Sequence, residues 1–472
     1  AVSRPGRVGF GVDTGHRDAC AGGNDARYTV GVAVVDGHRP AASPASPGRR
    51  SSTMKFPARD TALRAAIVAA AACLAGTAPR ADGAGTPPAG PGIVAGDEKP
   101  GVEGPVVRIP GGWMVPYDET IAGLGGDPAT FRMIPVPGGT FRMGSADGEP
   151  GRTADEGPVY EVVVQPLWMG RCEVTWAEYK AFMGSYELFT QMQAAGLRPV
   201  TAANERDAVT APSVLYDPST TYANGEDDDL PAVTMTQFAA RQYTKWLSGL
   251  TGRFYRLPSE AEWEHACRAG TTTPWNAGAD AAALADAAWF ADNADETTHP
   301  VGRKKPNAFG LHDMHGNVAE WAVDELVAGG YAKPAALRQP VPADAAIQWP
   351  VKLYPRVLRG GAFYDEAARC RSAARRGSRD AGGTDDDPDW KDIDPNLPKS
   401  PWWYTEDPAL GVGMRIVRPL EAPDAAGRRR WWDADVESIR DDVRSRIDGG
   451  RGALGIVDPG LPAELKAKGI VD

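Results

Sequence analysis

Two stretches, PNAFGLHDMHGNVAEW at 306–321 and RLPSEAEWEHACRAG at 256–270, decide how this chain is read. In the first, Gly310 and Gly316 supply backbone freedom at turns, and Trp321 supplies bulky core area. In the second, Ser259 is followed three residues later by Glu262, the signature of a helix start in which hydroxyl and carboxylate satisfy main-chain N–H groups of the first turn. Trp263, just inside that helix, adds more core area. The chain has 55 Gly and 41 Pro in 472 residues, so a loop-rich fold with short elements is expected.

Outward from these blocks, the same helix-start pattern recurs at Thr175 with Glu178 and at Thr234 with Gln237. After the latter, Phe238, Ala239, Tyr243, Trp246, Leu247 and Leu250 recur at three- and four-residue spacing, and Gly252 is a stop signal. This predicts one amphipathic helix packed on a core. Apolar runs at 131–143, broken by Pro135, Pro137, Gly138 and Gly139, and at 159–164 predict short strands. Residues 197–230 are polar and read as a surface insertion, with the acidic run 226–229 as a solvated face.

The formal net charge is -11 and the arginines are scattered, so no basic stripe is available to neutralise phosphates and nucleic acid is not an expected partner. The one long apolar run, 65–76, falls short of the roughly 20 residues that span a bilayer. Lys55, Arg59 and Arg64 precede it and Gly76, Thr77 and Ala78 follow, which is the layout of a secretory signal peptide starting at Met54. The expected organisation is an upstream extension or disordered leader at 1–53, a signal peptide at 54–80 and a Gly/Pro-rich linker at 81–130. A domain at 131–420 and a polar tail at 421–472 follow. An exported protein, periplasmic or extracellular and not membrane-spanning, is expected.

Five blocks in order then carry a resemblance: IPVPGGTFRM at 134–143, EVTWAEY at 173–179, the two stretches above, and RVLRGGAFYDEAARCRSAAR at 356–375. Gly413, Met414 and Arg415 stand where the family usually ends in Gly-Phe-Arg. Together they resemble the sulfatase-modifying-factor domain of formylglycine-generating enzymes. The resemblance implies an α+β, formylglycine-generating-enzyme-like fold, distantly like C-type lectins, low in regular structure, with short strands and a few capped helices.

The family's enzymes oxidise a sulfatase cysteine to formylglycine with copper, oxygen and two active-site cysteines placed soon after a Gly-Gly-Ser block. Here that block reads Gly360, Gly361, Ala362, Phe363, Tyr364, Asp365, so a carboxylate stands at the first cysteine position. The second falls near Cys370. Copper(I) prefers soft thiolates, and copper is not expected here. Tyr364, Asp365 and Cys370 remain the groove candidates. The resemblance also implies a disulfide between Cys267 and Cys370, in keeping with an oxidising compartment. Finally, it implies a structural calcium held by Asp313, Gly316, Val318 and Glu320, through hard oxygen ligands. His312 and His315, three apart in a Gly-rich turn, read as turn residues before they read as a metal pair.

Two functions are open at this point. One is a calcium-stabilised binding or scaffold module that takes an extended peptide or another exported protein. The other is a formylglycine-generating or other metal-dependent oxidase, which requires a substitute for the missing thiol.

Overall fold

The structure is a computed structural model that describes residues 89–121, 124, 127–213, 218–378 and 409–471. The expected leader and signal peptide lie outside them. Two four-stranded sheets carry most of the core. In one, Val417–Pro419, Leu167–Gly170, Ala129–Val136 and Tyr117–Ile121 lie side by side and antiparallel, with Ile134 opposite Met169. In the other the order is Arg375–Gly377, Arg356–Arg359, Ala319–Glu325 and Val412–Gly413, the last pair being parallel. A smaller sheet joins Gly139–Met143, Tyr160–Val164 and Val341–Pro342. With short strands and capped helices mixed along the chain, the class is α+β, as expected. Among the described residues no helix is long and apolar enough to cross a membrane.

The helix starts follow their caps. Glu178 accepts from the Thr175 N–H at 3.1 Å and Glu262 from the Ser259 N–H at 2.8 Å, opening the helices Trp176–Met183 and Glu260–Arg268. The third start is displaced by two residues. Thr236, not Thr234, caps the helix Gln237–Thr251, its hydroxyl accepting from the Ala239 N–H at 3.1 Å. Thr234 has a positive φ of 68° and donates to the Val233 carbonyl instead. Gly252 ends this helix in the left-handed conformation, where a side chain would be strained. Its buried face meets the helix Trp176–Met183 through aromatic contacts, Phe182 with Trp246 and Tyr179 with Tyr243, each 5.8 Å between ring centres.

The body reaches beyond 131–420 at both ends. Within the stretch read as a linker, Val107–Ile109, Gly112–Met114 and Tyr117–Ile121 are strands, and the last pairs with the domain's own sheet. Tyr117, Glu119 and Ile121 all face inward. The inward charge hides the alternation. It is tolerated because Arg253 grips Glu119 at 2.6 and 2.7 Å and the Tyr255 hydroxyl donates to it at 2.5 Å.

The tail is likewise part of the core. Gly452–Gly455 pairs with Val209–Pro212 from the segment read as a surface insertion, and Ile439, Val443, Leu461 and Leu465 are buried. Asp435 accepts from Arg356 at 2.6 and 2.8 Å and from Arg241 at 2.5 Å. Both guanidiniums are nearly fully buried. Removing one partner of a buried ion pair strands the other charge, at a cost of about 3–5 kcal/mol. Asp435→Ala is therefore expected to lower the unfolding free energy by about that amount, measured by urea titration of the full chain. A loss below about 0.5 kcal/mol would show that the tail does not clamp the domain.

Candidate functional site

The strand Arg356–Arg359 runs into Gly360 and Gly361, both at positive φ, and the chain turns through Ala362, Phe363, Tyr364 and Asp365. A Cβ on Gly361 would stand 2.7 Å from Cys370 Sγ, so the approach of these two segments requires glycine. Asp365 closes the turn. Its Oδ2 accepts from the Ala362 N–H at 2.8 Å, while its own N–H donates to the Ala362 carbonyl at 2.9 Å. Arg376 stands 3.5 Å from the same Oδ2 and donates to the Tyr364 hydroxyl at 3.2 Å. Tyr364, 42% exposed, lines an open groove of about 830 Å³ with Lys352, Asp365, Arg369 and Arg376.

Two cysteines lie under this turn, and neither lines the groove. His315 Nδ1 donates to the Cys370 carbonyl at 2.7 Å, which leaves Nε2 to accept from the Asn276 N–H at 3.1 Å. That arrangement needs a neutral ring, and burial pushes its pKa down to about 4. His315 is thus spent on the backbone, and His312 Nδ1 is hydrogen-bonded to the Lys304 carbonyl at 2.9 Å. Cys267 Sγ lies 3.5 Å from the Met314 carbonyl, 3.6 Å from Ser372 Oγ and 3.7 Å from His315 Nε2. Cys267 and Cys370, the pair that the resemblance implies as a disulfide, are free thiols in this structure. Burial pushes the Cys267 thiol up to about 12 and Cys370 well above the usual thiol range, the latter helped by the Asp365 charge. Neither is a thiolate near neutral pH.

A second constellation lies where three segments meet. The His312 N–H donates to the Arg171 carbonyl, Val174 to Met414 and Gly170 to Ile416, each at 2.9 Å. These bonds bring Glu173, Asp313, Glu320 and Arg415 together, all at most 2% exposed. Arg415 donates to Glu320 at 2.7 and 3.1 Å, to the Gly170 carbonyl at 2.9 Å and to the His312 carbonyl at 2.9 Å. Trp263 Nε1 adds a bond to Glu320 at 2.7 Å. Asp313 Oδ2 accepts from the Gly302 N–H at 2.6 Å, but its Oδ1 and both oxygens of Glu173 have no protein partner. Burial, followed by the facing Asp313, raises the Glu173 carboxyl well above the usual range, and burial raises Asp313 as well. Gly316 shapes the intervening turn, where a Cβ would meet the Trp289 carbonyl at 1.9 Å, and Val318 is fully buried.

Among the expected calcium ligands, then, the structure joins Asp313 and Glu320 in one buried cluster, but Glu320 is already matched by a guanidinium. No group of three or more His, Cys, Asp and Glu side chains is placed to hold a metal among the described residues.

Residues 126–386 match the sulfatase-modifying factor enzyme 1-like domain. The chain belongs to the sulfatase-modifying-factor family. It is 33% identical over 231 residues to a formylglycine-generating enzyme of Mycobacterium tuberculosis, covering 41% of this chain and 74% of the relative. To one of Streptomyces coelicolor it is 30% identical over 280 residues, 52% of this chain and 84% of the relative. It is also 28% identical over 292 residues to the inactive C-alpha-formylglycine-generating enzyme 2 of Bos taurus, covering 55% and 86%. Against the thiol pair that family membership implies for copper, this member offers a carboxylate spent on its own turn and a buried, protonated thiol. The residues do not fit copper(I).

Sequence reading missed Glu173 and Arg415 as site residues, although both lie in quoted family blocks. The available signal was a carboxylate, Glu173, just after the apolar run 167–170. A double-mutant cycle with Glu320→Ala and Arg415→Met is expected to give a coupling of about 2–3 kcal/mol in unfolding free energy. Additive single losses would show that the pair does not hold these segments together.

Proposed function

We propose that this chain is an exported binding module of the sulfatase-modifying-factor family that docks an extended peptide or another exported protein in the groove at Tyr364 without oxidising it. One observation carries the reading: at the position where family chemistry needs a thiolate, Asp365 closes a turn and faces Arg376. The nearest cysteine, Cys370, is fully buried. What remains in the groove is an exposed aromatic face among charges of both signs, Lys352, Arg369 and Arg376 with Asp155, Glu325 and Asp365. Tyrosine and arginine are the residue types that anchor protein partners, because each covers large area with a polar tip. Similarity to a relative named as inactive supports the same reading.

Incubation of the full chain with a Cys-x-Pro-x-Arg peptide, copper and oxygen is expected to leave the cysteine mass unchanged. Conversion of that cysteine to an aldehyde would establish the oxidase reading and overturn this one. The export part is supported by the charge and apolar layout at 54–80. Expressed in a secreting host, a C-terminally tagged chain is expected outside the cytoplasm in shortened form, and an unshortened cytoplasmic product would overturn that part.

A further inference from the structure

His265, on the helix Glu260–Arg268, has no part in the groove at Tyr364 or in the cluster around Arg415. It is buried, and its ring packs against Phe141 and Phe309 with centres 5.2 and 5.8 Å away. Nε2 lies 2.9 Å from the Pro137 carbonyl. A carbonyl oxygen only accepts, so Nε2 carries a proton and is the donor. Burial, which outweighs the Pro137 bond and the Glu262 charge, holds the pKa of the ring below the usual histidine range. The ring is therefore neutral near pH 7, and Nδ1 keeps a bare lone pair for which no described residue supplies a donor. His265 also lines a cavity of about 350 Å³ together with Phe141, Val159 and Arg142. Nε2 faces Pro137 and Cε1 faces Gly139, neither of which lines that cavity. Two further charged groups on its lining are matched within the protein, since Arg268 donates to Glu264 and to the Gly144 carbonyl and Glu149 accepts from Arg371.

We propose that this cavity binds a small phenol, with its ring against Phe141 and its hydroxyl donating to His265 Nδ1. A bare imidazole nitrogen in apolar surroundings is an acceptor left unsatisfied, a cost that a ligand's donor removes. An ammonium ligand would find no free carboxylate on this lining, because Glu149 is held by Arg371. A phenol supplies a neutral donor more acidic than an aliphatic hydroxyl, and its ring adds edge or offset contacts with Phe141. The cavity lies at the small end of the range for ligand sites, which suits a single ring. It shares no lining residue with the groove at Tyr364, so the inference stands apart from what that groove binds.

The test titrates the full chain with para-cresol and, separately, with para-xylene, which has nearly the same shape and no donor. In the free protein, nitrogen NMR of the ring is expected to show His265 protonated at Nε2 and bare at Nδ1, and para-cresol is expected to shift the Nδ1 resonance. Para-cresol is expected to bind roughly tenfold more tightly than para-xylene, the ratio that one net hydrogen bond contributes, read from the concentration dependence of Tm. His265→Phe keeps an aromatic ring against Phe141 and Phe309 and removes the acceptor. It is expected to bind the two ligands within about twofold of each other. An Nδ1 resonance and a Tm that para-cresol leaves unchanged overturn the proposal and leave the cavity to water. Equal binding of the two ligands by wild type overturns it too, as does a preference retained in full by His265→Phe. If that variant does not fold, the wild-type nitrogen spectrum and the comparison of the two ligands decide alone.

Discussion

Arg415 is the residue through which the layers of this domain are joined. Its guanidinium bonds Glu320 on a central strand, Gly170 on a strand of the other sheet, and His312 in the long Gly-rich loop. Through Glu320 it also reaches Trp263 on the helix Glu260–Arg268. A planar group with five fixed donors can satisfy carbonyls and a carboxylate from several directions at once. An aliphatic side chain in its place would leave Glu320 buried without a cation and with the Trp263 N–H as its remaining side-chain donor. The chain order of the family blocks has its physical meaning here, since residues separated by more than two hundred positions must converge on one charge.

The same device recurs beside it. Glu260 and Glu264, one helical turn apart, both face the second sheet, where Arg359 bonds each of them and Arg375 bonds Glu260. Such pairs add little net stability over a well-packed apolar core, because desolvation offsets most of the attraction. They do penalise any packing that separates the partners. In a fold with short strands and few helices, where hydrophobic periodicity specifies little, charge pairing sets the register between segments. Glu119 with Arg253, and Asp435 with Arg241 and Arg356, extend this to both ends of the body.

The groove at Tyr364 and the cluster at Glu173 are chemically separate. The groove has lost the soft thiol chemistry of its family, since the carboxylate at position 365 holds its own turn and the thiol below is buried and protonated. The cluster is buried and joins three segments through the donors of Arg415.

By itself the sequence determined the family, the α+β class, the cap at Ser259, the helix ending at Gly252 and the absence of a thiol at position 365. Each of these is a local property, legible because a cap, a stop or a missing ligand is decided within a few residues. It left the strand Tyr117–Ile121 unread because inward Glu119 breaks the alternation, and it left the tail unread because its apolar residues are few and widely spaced. Only the tertiary structure decided which charges share one site. Asp313 and Glu320 were named together through the family resemblance, but Glu173 and Arg415 join them from distant segments, and the donors of Arg415 determine which carboxylate is satisfied and which are not. Pairing across such separations depends on backbone hydrogen bonds between segments, and the order of residues along the chain does not carry that information.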